Sequence, residues 1–353
     1  MAGMARRYAV AIVGATGLVG RTMAQVLEER RFPVGGLRML ASARSAGATL
    51  RWRDREITVE EARPDGFDGV EIALFSAGAG TSRELAPQAA RAGAVVIDNS
   101  SAWRMEPDVP LVVPEVNADD LARHRGIVAN PNCSTIQMVV ALNPLHRVNP
   151  IRRIVVDTYQ SVGGTGQKGV AELREQVEAD GADRPIEPRV YPHPIAFNLV
   201  PQIDVFLEDG SSKEEAKMVN ETRKIMHAPE IRIVATTVRV PVWSAHSEAV
   251  HVELSRPMSP EEARAVLAGA PGVVVEDDPA RSVYPTPREK AGRDEVFVGR
   301  IRRNEVFENG LSMWVVADNV RKGAATNAVQ IAEELVRRNL AGAERKIAHA
   351  VPG

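Results

Sequence analysis

Tyr8-Ala9-Val10-Ala11-Ile12-Val13-Gly14-Ala15-Thr16-Gly17-Leu18-Val19-Gly20 is an apolar run that halts at a glycine and resumes as a helix-like pattern. Residues 8–13 read as a short buried strand and residues 19–30 as a helix. The glycines between them follow GxxGxxG rather than the commoner GxGxxG. Glycine lets a backbone approach a pyrophosphate, and a helix start offers free N–H groups with partial positive charge. The same glycines would also suit a tight turn that needs only close packing, so the loop alone leaves two readings. Working outward, residues 37–42 read as a second strand, 70–76 as another apolar run, 83–92 as a helix and 94–98 as a strand. Strands alternating with helices predict a parallel sheet wound by right-handed crossovers.

The texture changes after about residue 150. Residues 151–161 form a long β-rich run, and Pro-rich segments follow across 185–201. Strands are expected at 231–240, 248–254, 273–276, 295–301 and 311–317, which predicts a mixed α+β domain with a broad sheet. Residues 324–338 carry Ala328, Val329, Ile331, Ala332, Leu335 and Val336 at helical spacing, so this helix is expected to pack back on the first domain. The tail after about Leu340 is expected to fray.

Composition excludes several classes. The chain has 353 residues, 44% apolar and 25% charged, with a formal net charge of −2. That length suits two domains. The near-neutral charge gives no field that would draw it to nucleic acid or a membrane surface. The first ten residues do not read as a signal peptide. No stretch approaches the roughly 20 apolar residues of a membrane span. One cysteine allows no internal disulfide and no multi-thiolate zinc site, and this fits the cytoplasm. The histidines show no metal-binding spacing, so no metal is expected.

At the end of the second expected strand, Leu40-Ala41-Ser42-Ala43-Arg44-Ser45 has no acid to bind a ribose 2′-hydroxyl. Arg44, with Ser42 and Ser45, suits a 2′-phosphate, although a solvated arginine is the plain alternative. Ser76-Ala77-Gly78 closes a third strand and is expected at the same crevice. Asn130-Pro131-Asn132-Cys133-Ser134-Thr135 precedes an apolar-periodic stretch at 136–145. It places Cys133 at a helix start, where the dipole favours the thiolate. A lone cysteine is more often buried and inert, but these neighbours are polar.

Taken with Asp98-Asn99-Ser100-Ser101-Ala102-Trp103-Arg104, Tyr159-Gln160-Ser161-Val162-Gly163-Gly164, the 195–204 segment, Arg239 followed by His246, and Asp318-Asn319, these motifs resemble aspartate-semialdehyde dehydrogenase along the whole chain. The resemblance implies a Rossmann-type parallel-sheet NADP-binding domain over residues 1–132, joined by a C-terminal helix at about 319–353. Residues 133–318 would form an α+β catalytic and dimerisation domain of the glyceraldehyde-3-phosphate-dehydrogenase-like type.

It also implies the reaction: L-aspartyl 4-phosphate and NADPH giving L-aspartate 4-semialdehyde, phosphate and NADP⁺, on the route to lysine, methionine and threonine. Family members are usually homodimers or homotetramers. By resemblance, Cys133 is the nucleophile, Gln160 positions the thioacyl group and His246 is the general acid/base. Arg239 grips the α-carboxylate, Arg104 and Lys217 hold phosphate with Asn132 beside them, and Glu214 meets the ammonium. Gly14, Thr16, Gly17, Leu18 and Val19, with Gly163, Gly164 and Asn319, join Ser42, Arg44, Ser45, Ser76, Ala77 and Gly78 as cofactor contacts. Gly163 departs from relatives that carry serine, and Trp103 stands where phenylalanine is commoner.

The residue types suit that substrate, because a carboxylate, an ammonium and a phosphate need at least two cationic anchors and one anion. Glu214 and Lys217 lie three apart, on one helix face, where an exposed ion pair is the bland alternative. For His246 the bland alternative is a core histidine. N-acetyl-glutamyl-phosphate reductase shares the chemistry, but its substrate lacks the free ammonium that Glu214 would bind. A catalytically dead paralogue is opposed by the retention of Cys133, Gln160, Arg239 and His246.

Overall fold

A computed structural model describes residues 6–341. The tail expected to fray therefore lies outside the described residues from residue 342 onward, as do residues 1–5. The chain forms two compact units. One joins the residues up to Pro131 with those from Ala324 onward, and the other is Asn132–Gly323.

The first unit opens with β1 (Tyr8–Val13), α1 (Leu18–Glu29) and β2 (Val34–Ala41). A small hairpin follows, β3 (Thr49–Trp52) and β4 (Arg55–Thr58), then β5 (Glu60–Glu61), β6 (Ile72–Phe75), α2 (Ala79–Arg91), β7 (Val95–Asp98), α3 (Pro114–Asn117) and β8 (Ile127–Ala129). The six-stranded sheet runs β5-β2-β1-β6-β7-β8, every pair parallel. Its central strands are buried on both faces, and this is why they read as continuous apolar runs. β2 starts three residues before the expected 37, through Gly35 and Gly36. Pairing of Tyr8 with Val34 and of Ala9 with Gly36 outweighs their poor strand propensity.

The second unit begins with α4 (Cys133–Val148) and continues through β9 (Ile151–Gln160), α5 (Gln167–Gly181), α6 (Lys213–Ile225), β10 (Arg232–Arg239), β11 (His246–Leu254), α7 (Pro260–Ala268), β12 (Val273–Val275), α8 (Pro287–Lys290), β13 (Val296–Asn304) and β14 (Gly310–Ala317). Its mixed sheet runs β10-β9-β11-β14-β13-β12. One face is covered by helices; the other exposes Tyr159 and Val234, with Trp314 beside Tyr159. β11 starts at His246, two residues before the expected 248, and that brings the histidine into the ladder.

The chain returns to the first unit through a π-helical turn at Arg321–Ala325 and α9 (Thr326–Arg337). Ala328, Ile331, Ala332 and Leu335 of α9 share one core with Met23, Val26 and Leu27 of α1. Each fully buried Ile, Leu, Val or Met side chain among them contributes about 1.5–3 kcal/mol. The expected packing of this helix on the first domain is thus observed, beginning two residues later than the periodicity suggested.

Candidate active site

In the first unit, β1 pairs with both β2 and β6, so three strand ends lie side by side. Gly14, Ser42 and Ser76 follow those ends directly. Gly14 has φ 86°, and an added Cβ would sit 2.4 Å from the Ser76 carbonyl oxygen; one on Gly20 would sit 2.2 Å from that of Gly14. Packing alone therefore requires both glycines. Gly17 caps α1 without a side-chain hydrogen bond, and no acid occupies the first turn, so the helix start carries no internal anion beside Thr16, Leu18 and Val19. Ser76, Ala77 and Gly78 join β6 to α2, with Gly78 as its cap at φ 83°.

Arg44 is exposed in the short turn Ala43–Ser45, between Ser42 and Ser45, and makes no hydrogen bond or ion pair among the described residues. Sequence reading missed an acid close in space: β5 pairs Glu60 and Glu61 with Leu40 and Ala41. Both carboxylates are already taken, Glu60 by Arg38 at 2.5 Å and Glu61 by Arg63. Arg104 also belongs to this unit. Its side chain is buried and donates to the carbonyls of Asn130 at 3.0 Å and Asn99 at 2.9 Å.

In the second unit, strand ends again set the geometry. β10 and β9 are parallel, with Arg239 opposite Gln160. β11 is antiparallel to β9, with Ser247 opposite Tyr159, so His246 enters beside Gln160. His246 pairs with Ala317 on β14, and Asp318 and Asn319 come next. Alternation points Arg239, Gln160 and His246 to the same buried face. One position deeper on that face stand Thr237, Thr158 and Glu248.

His246 is fully buried. Its Nδ1 accepts the Ser161 backbone N–H at 3.0 Å, which leaves the proton of the neutral ring on Nε2. Nε2 has no hydrogen-bond partner among the described residues. Burial, then the neighbouring Arg239 charge, hold its pKa well below the usual value of 6.5. Ser161 Oγ donates to Asn319 Oδ1 at 3.0 Å, and the same oxygen accepts the Ala245 N–H at 3.0 Å. Ala245 is itself left-handed, φ 66°, so Asn319 fastens a strained residue just before the histidine. Asn319 is therefore tied to His246, and Ser161 was missed by sequence reading although it directly follows Gln160.

Gly163 and Gly164 lie in the turn after β9. A Cβ on Gly164 would meet Arg239 Nη1 at 3.1 Å and His246 Nε2 at 3.3 Å; one on Gly163 would lie 2.9 Å from the Trp243 carbonyl. A serine at 163 would need that backbone to shift. Arg239 gives one guanidinium arm to the Ser161 carbonyl at 2.7 Å.

The Glu214–Lys217 pair is not the exposed ion pair that spacing alone allowed. Glu214 is 5% exposed and accepts from Lys217 Nζ at 3.0 Å, Asn132 Nδ2 at 2.8 Å and Gln160 Nε2 at 3.3 Å. Burial raises its pKa, but Lys217, Asn132 and Arg239 together outweigh that and hold it below 4.5. Lys217 also reaches Asp204 at 2.8 Å. Burial lowers its pKa, and the two carboxylates more than restore it, so the ammonium stays charged.

Cys133 is the first residue of α4 and is half-buried rather than sealed. Asn132, not Ser134 or Thr135, is the cap, accepting from the backbone N–H of both. Gly323 packs against the cysteine, since a Cβ there would lie 2.8 Å from Cys133 Cβ. A half-buried sulfur at a helix start, a neutral imidazole N–H and an arginine beside a buried acid–lysine pair can support nucleophilic acyl chemistry on an anionic amino-acid substrate.

Comparison with known proteins agrees. Residues 9–124 match the semialdehyde dehydrogenase NAD binding domain, and residues 142–322 the semialdehyde dehydrogenase dimerisation domain. Aspartate-semialdehyde dehydrogenase of Aquifex aeolicus is 59% identical over 338 residues, 94% of this chain and 99% of that protein. The chain belongs to the aspartate-semialdehyde dehydrogenase family. The Bacillus subtilis member is 49% identical over 345 residues, 96% of this chain and 100% of its own length. A crystal structure of aspartate semialdehyde dehydrogenase II from Vibrio cholerae, complexed with ASA, superposes with TM-score 0.92 at 49% identity, covering 94% of this chain and 99% of that one. The Candida albicans enzyme, solved with NADP, superposes with TM-score 0.75 at 26% identity, covering 95% of this chain and 100% of that one. The chain is thus an enzyme of this family, with a nicotinamide-cofactor domain and an oligomerisation domain.

Proposed function

We propose that this enzyme reduces L-aspartyl 4-phosphate to L-aspartate 4-semialdehyde with NADPH, releasing phosphate, through a thioester on Cys133. The observation that carries this reading is the single sheet end that assembles Arg239, Gln160 and His246 against the buried Glu214–Lys217 pair.

The first unit fits the cofactor: an uncapped α1 start for the pyrophosphate, and an uncommitted Arg44 for the 2′-phosphate, with the nearby acids held by other arginines. Gly163 and Gly164 complete the contacts in the second unit. Bound NADPH supplies the hydride that reduces the thioester carbon. Every other step belongs to the protein. The Cys133 thiolate attacks the acyl carbon and phosphate departs, with Arg104 and Lys217 as its cationic ligands and Asn132 beside them. Arg239 takes the α-carboxylate, Glu214 takes the ammonium, and Gln160 holds the thioacyl group.

His246 serves the oxygen of the tetrahedral intermediate. As a neutral ring it donates a hydrogen bond from Nε2. A substrate carboxylate on Arg239 removes one of the two causes of its low basicity, so the ring can take up a solvent proton on Nδ1, with Ser161 Oγ 3.2 Å away, and pass its Nε2 proton to the intermediate's oxygen, returning to the neutral form. We place the enzyme in the cytoplasm, on the route to lysine, methionine and threonine. It acts as a homodimer or homotetramer built on the open face of the mixed sheet, and light scattering checks the copy number.

The testing assay is phosphate-dependent NADP⁺ reduction, comparing aspartate semialdehyde with N-acetyl-glutamate semialdehyde. Aspartate semialdehyde should be strongly preferred. Cys133→Ala should lose turnover by at least roughly 10³-fold yet still bind NADPH. Turnover surviving that change removes the covalent route, and preference for the acetylated compound removes the substrate.

A further inference from the structure

Asn132 precedes the nucleophile, and all of its hydrogen-bonding groups are used. Its carbonyl accepts the Ile136 N–H at 2.9 Å, and its Oδ1 caps α4 through Ser134 and Thr135. Its Nδ2 donates to Glu214 at 2.8 Å, and its backbone N–H donates to Glu221 Oε2 at 2.6 Å. The last is a short, charge-assisted bond. Glu214 and Glu221 are seven residues apart on α6, two turns along one face, and both are buried. A solvated helix surface has no need of two acids there; these both point at one residue.

We propose that Glu221 is a positioning residue for the nucleophile. With Glu214 it forms a two-carboxylate clamp on Asn132, which fixes where α4 begins and so where Cys133 stands. Glu221 does not touch substrate: it acts through the Asn132 backbone. The clamp also ties the nucleophile to α6, the helix that carries Glu214 and Lys217. This inference rests on the reading of Cys133 as nucleophile.

The test uses the full-length enzyme with Glu221 replaced by Ala, Asp or Gln. Two readouts are taken: kcat and KM for semialdehyde-dependent NADP⁺ reduction, and the rate at which iodoacetamide labels Cys133, the sole cysteine of the chain. Glu221→Ala removes the acceptor. It should lower kcat about 30–100-fold, the scale on which an ångström of misplacement acts, with both KM values within about 3-fold. Labelling should slow by at least about 5-fold.

Glu221→Gln keeps an acceptor oxygen in place and should hold kcat within about 5-fold of wild type. Glu221→Asp withdraws the carboxylate by one methylene and should fall between; it replaces the alanine variant if that does not fold. Unchanged kcat in both the alanine and aspartate variants, or glutamine behaving as poorly as alanine, overturns the proposal. So does a loss carried by KM with labelling untouched. A wild type that does not turn over the semialdehyde sinks the proposed reaction instead, and the labelling series then decides the clamp by itself.

Discussion

Replacing Glu248 by glutamine should make this enzyme progressively more stable than wild type as pH rises. Glu248 is fully buried one position beneath His246, and among the described residues neither carboxyl oxygen has a well-formed hydrogen bond. Burial pushes its pKa well above 4.5, and the Gln137 side chain on α4 offsets only part of that cost. Thr158 and Val315 flank it in the sheet, so none of these three neighbours supplies a charge. In the unfolded chain the same carboxyl titrates near about 4.3. Above that pH the native state holds one proton that the unfolded state has lost. The sign is therefore the reverse of the usual carboxylate case: the stability is fully present below the unfolded value and is lost as pH rises toward the folded one.

The slope is about 1.4 kcal/mol per pH unit for as long as the native carboxyl keeps its proton. Glutamine is nearly isosteric with the protonated acid and does not titrate. The difference between variant and wild type should be small near pH 5 and grow at that slope, while contributions from all other groups cancel. Urea unfolding midpoints at fixed protein concentration, taken every half unit from pH 5 to 8, measure it. Parallel curves for the two proteins would mean that Glu248 is ionised in the native state, and the reasoning from burial would fail.

Three further outcomes follow from the geometry. Arg44→Ala should weaken NADPH by about 1.5–3 kcal/mol, the worth of a hydrogen bond to a charged group, and leave NADH nearly unchanged in fluorescence titrations; equal losses would remove Arg44 from the 2′-phosphate. Gly164→Ala places a Cβ 3.1 Å from Arg239 Nη1 and 3.3 Å from His246 Nε2, so kcat should fall by about 10²-fold without a matching loss of Tm. Ala245→Gly relieves the left-handed alanine before His246 and should stabilise the fold by up to about 1 kcal/mol in the same urea assay; a destabilisation would show that φ 66° carries no strain there.

Much of the fold was legible because its signals are local. β1 and β7 declared themselves as apolar runs, and α9 by its helical period. The hairpin of β3 and β4 was not, because Arg51, Arg53 and Arg55 interrupt any apolar pattern there. Their strands are stabilised by tertiary contacts such as Trp52 Nε1 donating to the Ala24 carbonyl at 2.9 Å. In the site, residues that make a motif were found and residues that merely hold it were missed. Ser161, Glu221 and Glu248 have ordinary local context. Their significance lies in partners 85, 89 and 111 residues away, namely His246, Asn132 and Gln137. Burial, too, cannot be read from spacing, and this is why Glu214 and Lys217 looked like a surface pair.

The second unit also fixes a length scale. Adjacent strands stand roughly 4.8 Å apart, and Arg239 and His246 are separated by one intervening strand, so their backbones are held roughly 10 Å apart by the sheet itself. A substrate one methylene longer cannot be accommodated by breathing of that ruler, since stretching it would break ladder bonds along three strands. Chain-length selectivity in this scaffold must therefore evolve by trading side chains on the existing rungs, one reach for another, with the backbone left as it is.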